Sequence, residues 1–383
     1  MPRFIPIITL NMFLSLVGTL AFTSSIGRSK HVLFCKVDDI RCVAHLLEAS
    51  TSTLEIESSS TPTVTSFTSP TYKVYIEDTD SYGVMYNSNY LRSYERALSN
   101  LFRSSDGSYD RHRWIITHVT KLKFRSSPAL GEEFLIRGDL VDIVEGEDDD
   151  DTAKDNAQTW RLEMVTKNTK SENDDDWIVH NSAQVTLSRP TTTSFDNISN
   201  LSTPTTSSNK RVEETHRAYH DELDSHYYPQ ADEYQYHIPL RSAMNYFERT
   251  RSNVLGGPDV LAKMQNEEDI LWVVTGADNG ELMLDSIVLA EGDINVNEEE
   301  DIQSLDWHLT PGKDVIVDTD IFIKRRGMFV ECHHRLLLDV KLNNGEKRRR
   351  LLAKATMTMM AITGSTRRPT SKLPKWVLEL LGE

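Results

Sequence analysis

The strongest constraint on this chain is that it repeats itself. "YERALSNLF" begins at Tyr94 and "FERTRSNVL" at Phe247, so Glu95 matches Glu248 and Asn100 matches Asn253 at an offset of 153 residues. A self-match of this kind implies two copies of one structural unit. Each match opens a helix. On the first, Tyr90, Leu91, Tyr94, Ala97, Leu98 and Leu101 recur at three- and four-residue steps, a stripe wide enough to be buried against a sheet. Strand patterns follow in both halves. They are "WIITHVTKLKF", "GEEFLIRGDLVDIV", "TWRLEMVTK" and "WIVHNSAQVTLS" in the first. In the second they are "ILWVVTG" with "ELMLDSIVL", "KDVIVDTDIFIKR", "MFVECHHRLLLDVKL" and "RRRLLAKATMTMMAI", with "NNGE" as a hairpin signal before the last. A helix followed by a run of antiparallel strands predicts an α+β fold, a long central helix wrapped by a sheet, made twice in tandem.

Composition sets the boundaries around the repeat. Two Ser/Thr/Pro-rich stretches, Ala49 to Thr71 and Arg189 to Lys210, read as flexible spacers. The expected layout is a targeting presequence at 1–48, a spacer at 49–71 and a first domain at 72–190. A linker at 191–230, a second domain at 231–365 and a C-terminal tail at 366–383 complete it. The presequence reading rests on Arg3, the apolar run from Phe4 to Ala21, and the basic, acid-free "FTSSIGRSKHVLFCK" after it. With a Phe directly after the expected cleavage site, the arrangement resembles the two-part presequences of complex plastids. Passage through the secretory pathway to a plastid is therefore expected, with a plain secretory signal or signal anchor as the alternative. No later segment is apolar enough to span a membrane.

A net charge of −16 over 383 residues excludes a general nucleic-acid binder, which needs a basic face for phosphates. Three cysteines, Cys35, Cys42 and Cys332, with no CxxC pair, give neither a disulfide framework nor a zinc or redox motif. Neither metal nor cofactor is expected. The acidic runs near Glu145, Glu172 and Asn297 read as solvated loops.

One segment carries chemistry. In "YIEDTDSYGVMYNSNYLRSYERALSN", residues 75–100, Asp80-x-x-Gly83-Val84 precedes Asn87-x-x-Tyr90 at the start of the helix, and Tyr94-Glu95-Arg96-Ala97 follows. This pattern resembles the hotdog-fold acyl-CoA thioesterases of the 4-hydroxybenzoyl-CoA thioesterase class. "VTKLKFRSSPALGEEFLIRGDLV", with Pro128 and Gly131 at its turn, is similar to the next two strands of that family. The resemblance covers 72–190 and, more weakly, 234–363. It implies a double hotdog, two hotdogs fused where relatives pair separate subunits, with further association into a homo-oligomer left open. The second half, "YQYHIPLRSAMNYFERTR", passes from strand to helix with no D-x-x-G segment, so the acid loop occurs once. Asn87 stands where one subgroup of the family carries His.

The resemblance implies hydrolysis of a thioester of coenzyme A or acyl carrier protein, with Asp80 as general base or nucleophile. Gly83, Val84, Asn87 and Tyr90 are the implied substrate-binding residues. An aspartate, with its ordinary pKa near about 3.9, is ionised at neutral pH, as either role requires. Gly83 permits a close backbone turn, and amides at a helix N-terminus suit a developing oxyanion. Asn87 is also a good N-cap residue, and Asp80 suits an Asx turn. Glu77 and Asp78 are expected on the strand before the loop. Two basic clusters, Lys121, Lys123 and Arg125, and Lys324, Arg325 and Arg326, are candidates for the carrier's phosphates.

Two further readings belong to other classes. A hotdog dehydratase pattern places His five residues after Asp, where this chain has Met85. A non-catalytic acyl-binding or scaffold protein fits the loss of the acid loop from the second half. Of the remaining polar groups, His216 and His220, with His226 beyond, read as a helical lead-in to the second domain rather than a metal pair. Cys332, His333 and His334 lie on a strand whose neighbours alternate faces, and His118 on another. Tyr94, Glu95 and Arg96 recur in modified form in the half that lacks the acid loop, which favours a structural helix contact over chemistry.

A reporter fused behind residues 1–48 is expected to enter the secretory pathway and reach a plastid. A diffuse cytosolic signal defeats that reading.

Overall fold

The computed structural model describes residues 64–79, 85–101, 114–144, 157–171, 176–188, 208–228, 233–282, 308–325, 327–341, 347–370 and 373–382. It also places four short strand segments at 19–22, 33–36, 199–200 and 288–289. The chain divides into two compact units, 1–63 and 64–383. The first contains the antiparallel pair β1 (Thr19–Phe22) and β2 (Leu33–Lys36), inside the segment expected as presequence and spacer. Among the described residues no helix is long and apolar enough to cross a membrane.

Among the described residues the second unit is α+β, a mostly antiparallel sheet with four helices. Short β3 (Ser66–Thr68) and β4 (Tyr72–Lys73) lead into α1 (Asn87–Leu101). Four strands follow: β5 (Ile115–Phe124), β6 (Glu133–Val144), β7 (Ala157–Lys167) and β8 (Trp177–Ser188). After β9 (Ser199–Asn200) come β10 (Lys210–Arg217) and the hairpin of β11 (Asp224–Tyr228) with β12 (Glu233–His237). Helices α2 (Leu240–Val254) and α3 (Gly257–Glu268) then precede β13 (Ile270–Leu282) and β14 (Val288–Leu289). β15 (Asp314–Lys324), β16 (Phe329–Lys341), β17 (Lys347–Thr363) and α4 (Lys375–Leu381) complete the chain.

One sheet runs through both halves in the order β10-β15-β16-β17-β13-β5-β8-β7-β6-β3. Outward from β5 the first half runs β8, β7, β6; outward from β13 the second runs β17, β16, β15. The sequence repeat is thus a repeat of topology. The halves meet where β5 pairs antiparallel with β13, with Gly276 opposite Lys123, Ala277 opposite Leu122, Gly280 opposite Val119 and Glu281 opposite His118. Gly276 is needed at this seam, because a Cβ there would stand 2.6 Å from the Leu122 carbonyl oxygen. Both strands also bulge here, with Lys121 at φ 53° and Asn279 at φ 51°, and the Lys121 N–H donates to Asp278 Oδ1 at 3.2 Å.

The expected helix stripe is the buried face. Tyr90, Leu91, Tyr94, Ala97 and Leu98 are each at most 2% exposed, and Leu101 packs against the same core. Helix α2 buries Leu240, Ala243, Met244, Tyr246, Phe247 and Val254. All but Val254 join the α1 residues in one hydrophobic cluster that spans both halves. Each fully buried side chain of this size contributes about 1.5–3 kcal/mol. Between the helices, Arg241 in the first turn of α2 donates to Glu95 Oε2 of α1 at 2.6 Å and to Asp224 Oδ1 at 2.8 Å. Glu95 is therefore a contact between the halves.

Three expectations are corrected. The segment expected as linker and helical lead-in holds β10, on which Lys210–Arg217 alternates between half-buried and exposed and pairs with β15 from Lys210↔Ile321 to Arg217↔Asp314. His216 lies on that strand, with Nε2 2.9 Å from Thr250 Oγ1, and His220 lies in a 3-10 turn. The cause is pairing along the β15 edge, which imposes a period of two on a segment with one apolar residue, Val212. The tail expected at 366–383 ends in α4, whose Val377 and Leu381 are buried against Val330, Cys332 and Met359. Glu77 and Asp78 lie in a 3-10 turn, not on a strand, because Asp78 Oδ2 accepts the Tyr75 N–H at 3.0 Å.

The seam between the halves can be tested in two ways. Residues 64–190 expressed alone leave β5 without its partner, so that half is expected to self-associate or aggregate. A well-behaved monomer on a sizing column contradicts this. At the same seam Glu281 Oε1 lies 3.5 Å from His118 Nε2 and Oε2 lies 2.7 Å from Lys354 Nζ. The hydrogen bond with His118, opposed by burial and aided by Lys354, lowers the Glu281 pKa from 4.5 to about 2. The unfolded chain takes up this proton first as the pH falls, so the contribution to stability is complete above about pH 4.5 and lost toward pH 2. Glu281→Gln is expected to lower the melting temperature at pH 7 and to flatten its decline below pH 4.5. Parallel melting curves for the two proteins across that range refute the assignment.

Candidate functional site

Asp80, Gly83 and Val84 lie outside the described residues, as does Arg326. What the structure fixes is a frame, the pair of flanks on either side of residues 80–84. On the upstream side, the Thr79 hydroxyl donates to the Ile76 carbonyl at 3.0 Å. Thr79 and Met85 form an antiparallel bridge, the Tyr86 N–H donates to the Asp78 carbonyl at 3.0 Å, and Asn89 Nδ2 donates to that carbonyl at 3.1 Å. The five residues between Thr79 and Met85 therefore start and finish at one tied base. Asp78 is committed to this base through both its carboxylate and its carbonyl.

On the downstream side the frame is anchored in the sheet. Met85 is buried, and its N–H donates to Ser127 Oγ at 2.9 Å. Asn87 opens α1 and is half-buried. Tyr90 is buried with its ring edge-on to Phe124, centroids 5.2 Å apart, and its hydroxyl donates to the Ser126 carbonyl at 3.4 Å. The Ser126–Ser127 turn after β5 thus touches both the end of the acid loop and the start of the helix. Farther along the same connection, the turn from Ala129 to Glu132 is laced to the segment before the loop, since the Val74 N–H donates to the Glu132 carbonyl at 3.0 Å and the Gly131 N–H to the Val74 carbonyl at 2.9 Å.

Beneath this turn lies a histidine that the sequence did not single out. His180 on β8 is 5% exposed, with Nδ1 2.7 Å from Ser126 Oγ and Nε2 2.9 Å from Thr166 Oγ1 of β7. Burial lowers its pKa below the ordinary 6.5, against a small opposing effect of Glu132, and so favours a neutral ring. A neutral imidazole donates through one nitrogen and accepts through the other, and the two hydroxyls complement either tautomer. Nothing in its strand pattern marks His180. The only sequence cue is "SSP" at the end of a strand. Next to it, the buried Tyr94 hydroxyl donates to Asn181 Oδ1, and Asn181 Nδ2 donates to the Lys123 carbonyl at 3.1 Å. Burial raises the Tyr94 pKa well above its ordinary value, so the phenol stays a donor.

The basic candidates are not brought together. Lys121, Lys123 and Arg125 are exposed on β5 and the turn after it, and Arg125 adjoins Ser126. Lys324 and Arg325 are exposed at the end of β15, Lys324 Nζ over the Phe322 ring at 5.4 Å and Arg325 over Phe329 at 5.5 Å. Three strands lie between β5 and β15, which puts the clusters about 19 Å apart at the usual strand spacing. Of these residues only Arg125 borders the frame of the acid loop.

The corresponding place in the second half is built differently. Pro239 precedes α2, and Arg241 fills the start of the helix with its ion pairs to Glu95 and Asp224. No group of three or more His, Cys, Asp or Glu among the described residues is placed to hold a metal ion. Cys332 and His334 face the core and His333 is partly exposed. Burial raises the Cys332 thiol to about 12 and lowers His334 well below its ordinary value.

No protein-family model and no curated protein matches this chain. Solved structures do match. A protein described as an oleoyl thioesterase from Lactobacillus plantarum is 9% identical, with TM-score 0.45 over 78% of this chain and 97% of its own. An acyl-ACP thioesterase from Bacteroides thetaiotaomicron is 10% identical, with TM-score 0.42 over 77% and 97%. A 12:0-ACP thioesterase from Umbellularia californica is 10% identical, with TM-score 0.42 over 77% and 94%.

Proposed function

We propose that this protein hydrolyses an acyl thioester of coenzyme A or acyl carrier protein to the free acid and the thiol. The two halves are then tandem hotdogs, of which the first carries the chemistry. The observation that carries the reading is the frame just described. A D-x-x-G segment is held between two tied ends, directly before the N-terminus of a helix whose other face is buried in the shared core.

In this reading Asp80 takes a proton from water as the water oxygen attacks the thioester carbonyl, or its carboxylate attacks directly to give an anhydride that water then opens. The oxyanion is met by first-turn amides of α1, those of Asn87 and Ser88, since the Met85, Tyr86 and Asn89 N–H groups already donate to Ser127, Asp78 and Tyr86. Collapse expels the thiolate, which is protonated on leaving. Gly83, Val84 and Tyr90 border the acyl group, and Arg125 serves the carrier's phosphates ahead of the other basic candidates because it adjoins the frame. The second half, with Arg241 in place of an acid loop, acts as the structural partner. Delivery to a plastid and assembly into a homo-oligomer are parts of the same proposal.

Asp80→Asn is expected to lower turnover of acyl-CoA by about 100- to 10,000-fold, the usual contribution of a positioned base, with the melting temperature unchanged. A single turnover in ¹⁸O-water separates the roles, since an anhydride opened by water at the aspartyl carbon puts label in the Asp80 carboxylate, which base catalysis cannot do. An Asp80→Asn protein that melts earlier yet works at the parental rate removes Asp80 from the chemistry.

A further inference from the structure

We propose that His180 is a positioning residue for Met85 and the start of α1, acting through Ser126 and Ser127. This inference rests on the function proposed above and extends it to residues that contact no substrate.

The argument is one of connectivity. Residues 80–84 are joined to the fold at two ends. The upstream end is tied locally, by Tyr75, Ile76 and Asp78, three residues whose side chains are exposed or half-buried. The downstream end is tied to the sheet by the bond from the Met85 N–H to Ser127 Oγ. Tyr90, one turn into α1, adds a second tie through the Ser126 carbonyl. The placement of Met85 and of the first turn of α1 therefore depends on where the Ser126–Ser127 turn stands.

That turn carries few apolar anchors of its own, since Ser126 is exposed and Ser127 only partly covered. What holds it is His180. The His180 carbonyl accepts the Arg125 N–H at 2.9 Å and the Ser126 N–H at 3.2 Å, and the ring nitrogen Nδ1 bonds Ser126 Oγ at 2.7 Å. The ring is fixed in turn from its far side by Thr166 Oγ1 at 2.9 Å. The chain of contacts Thr166, His180, Ser126, Ser127, Met85 runs from the end of β7 to the residue that follows the acid segment. Its sheet members lie on β7, β8 and the β5 turn, all of the first half.

The second half supplies an internal control. His334 is likewise a buried strand histidine bonded to a threonine on the neighbouring strand, Nδ1 to Thr319 Oγ1 at 2.8 Å, and it stacks on Phe247 of α2 with centroids 4.9 Å apart. It lies under the helix that has no acid loop. If such histidines only pack the core, the two networks respond alike to removal of a hydroxyl. If His180 positions Met85 and the start of α1, only its network affects the reaction.

The test compares Ser126→Ala and Thr166→Val with Thr319→Val in the full chain, using decanoyl-CoA and benzoyl-CoA as substrates and amide hydrogen exchange at Met85 as a second readout. Ser126→Ala and Thr166→Val are expected to lower kcat about 10- to 100-fold with KM within about twofold, and to speed exchange at Met85. Ser126→Thr, which keeps the hydroxyl, should restore both. Thr319→Val is expected to lower the melting temperature and leave kcat per folded molecule unchanged. Parental kcat and parental Met85 exchange in Ser126→Ala and Thr166→Val overturn the proposal, as does an equal loss of kcat in Thr319→Val. A parent protein that cleaves neither substrate counts against the proposed function. Exchange at Met85 then still decides whether the anchor exists.

Discussion

Everything in the second unit hangs on the stretch of β5 from His118 to Lys123 that runs antiparallel beside Gly276 to Glu281 of β13. Without that pairing each half is a helix lying on a sheet with an open edge, and neither encloses a core on its own. With it, the apolar faces of α1 and α2 share one cluster and the sheet is continuous from β10 to β3. The seam is a place of compromise as well as contact. Gly276 admits the Leu122 carbonyl, both strands bulge, and a half-buried carboxylate, Glu281, is kept ionised by His118 and Lys354. A pair of unlinked subunits would have to form the same surface by collision. Tethering makes the encounter intramolecular, so its cost falls to that of closing a loop.

The fused arrangement also explains why the halves differ. In a symmetric pair both helices begin in the same way, and a change that closes one site closes both. In a single chain the two helix N-termini vary independently. Here the start of α2 is occupied by Arg241, which binds carboxylates from β11 and from α1, whereas Ser88 stands at the matching position of α1 and the acid loop precedes it. The second half supports the first through the core and through the Arg241–Glu95 contact.

Much of this was legible in the sequence. The eight long strands and the two repeated helices follow from alternation and from three- and four-residue spacing, because burial on one face imposes those periods directly. The offset match gave the repeat of topology. What stayed hidden had a physical reason in each case. β10 has one apolar residue in eight and gains its order by pairing along β15, a long-range contact that leaves no periodic trace. Helix α4 has seven residues, too few for a repeating stripe, although Val377 and Leu381 are buried. His180 is a polar residue inside a strand, and only the partners that surround it, Ser126 and Thr166, give it a role. Asp80, the residue the sequence points to most strongly, is framed by described residues while lying outside them.

The strand that closes the sheet on the second half's side limits how two such units can meet. Along β10, Arg211, Glu213, Thr215 and Arg217 are the exposed residues, and Arg211 and Glu213 are drawn back over the sheet by Asp318 and Arg349. A neighbouring strand approaching that edge would have to desolvate the charged groups of Arg211, Glu213 and Arg217 as it gained backbone bonds. Addition of another copy's strand at this edge is thereby discouraged.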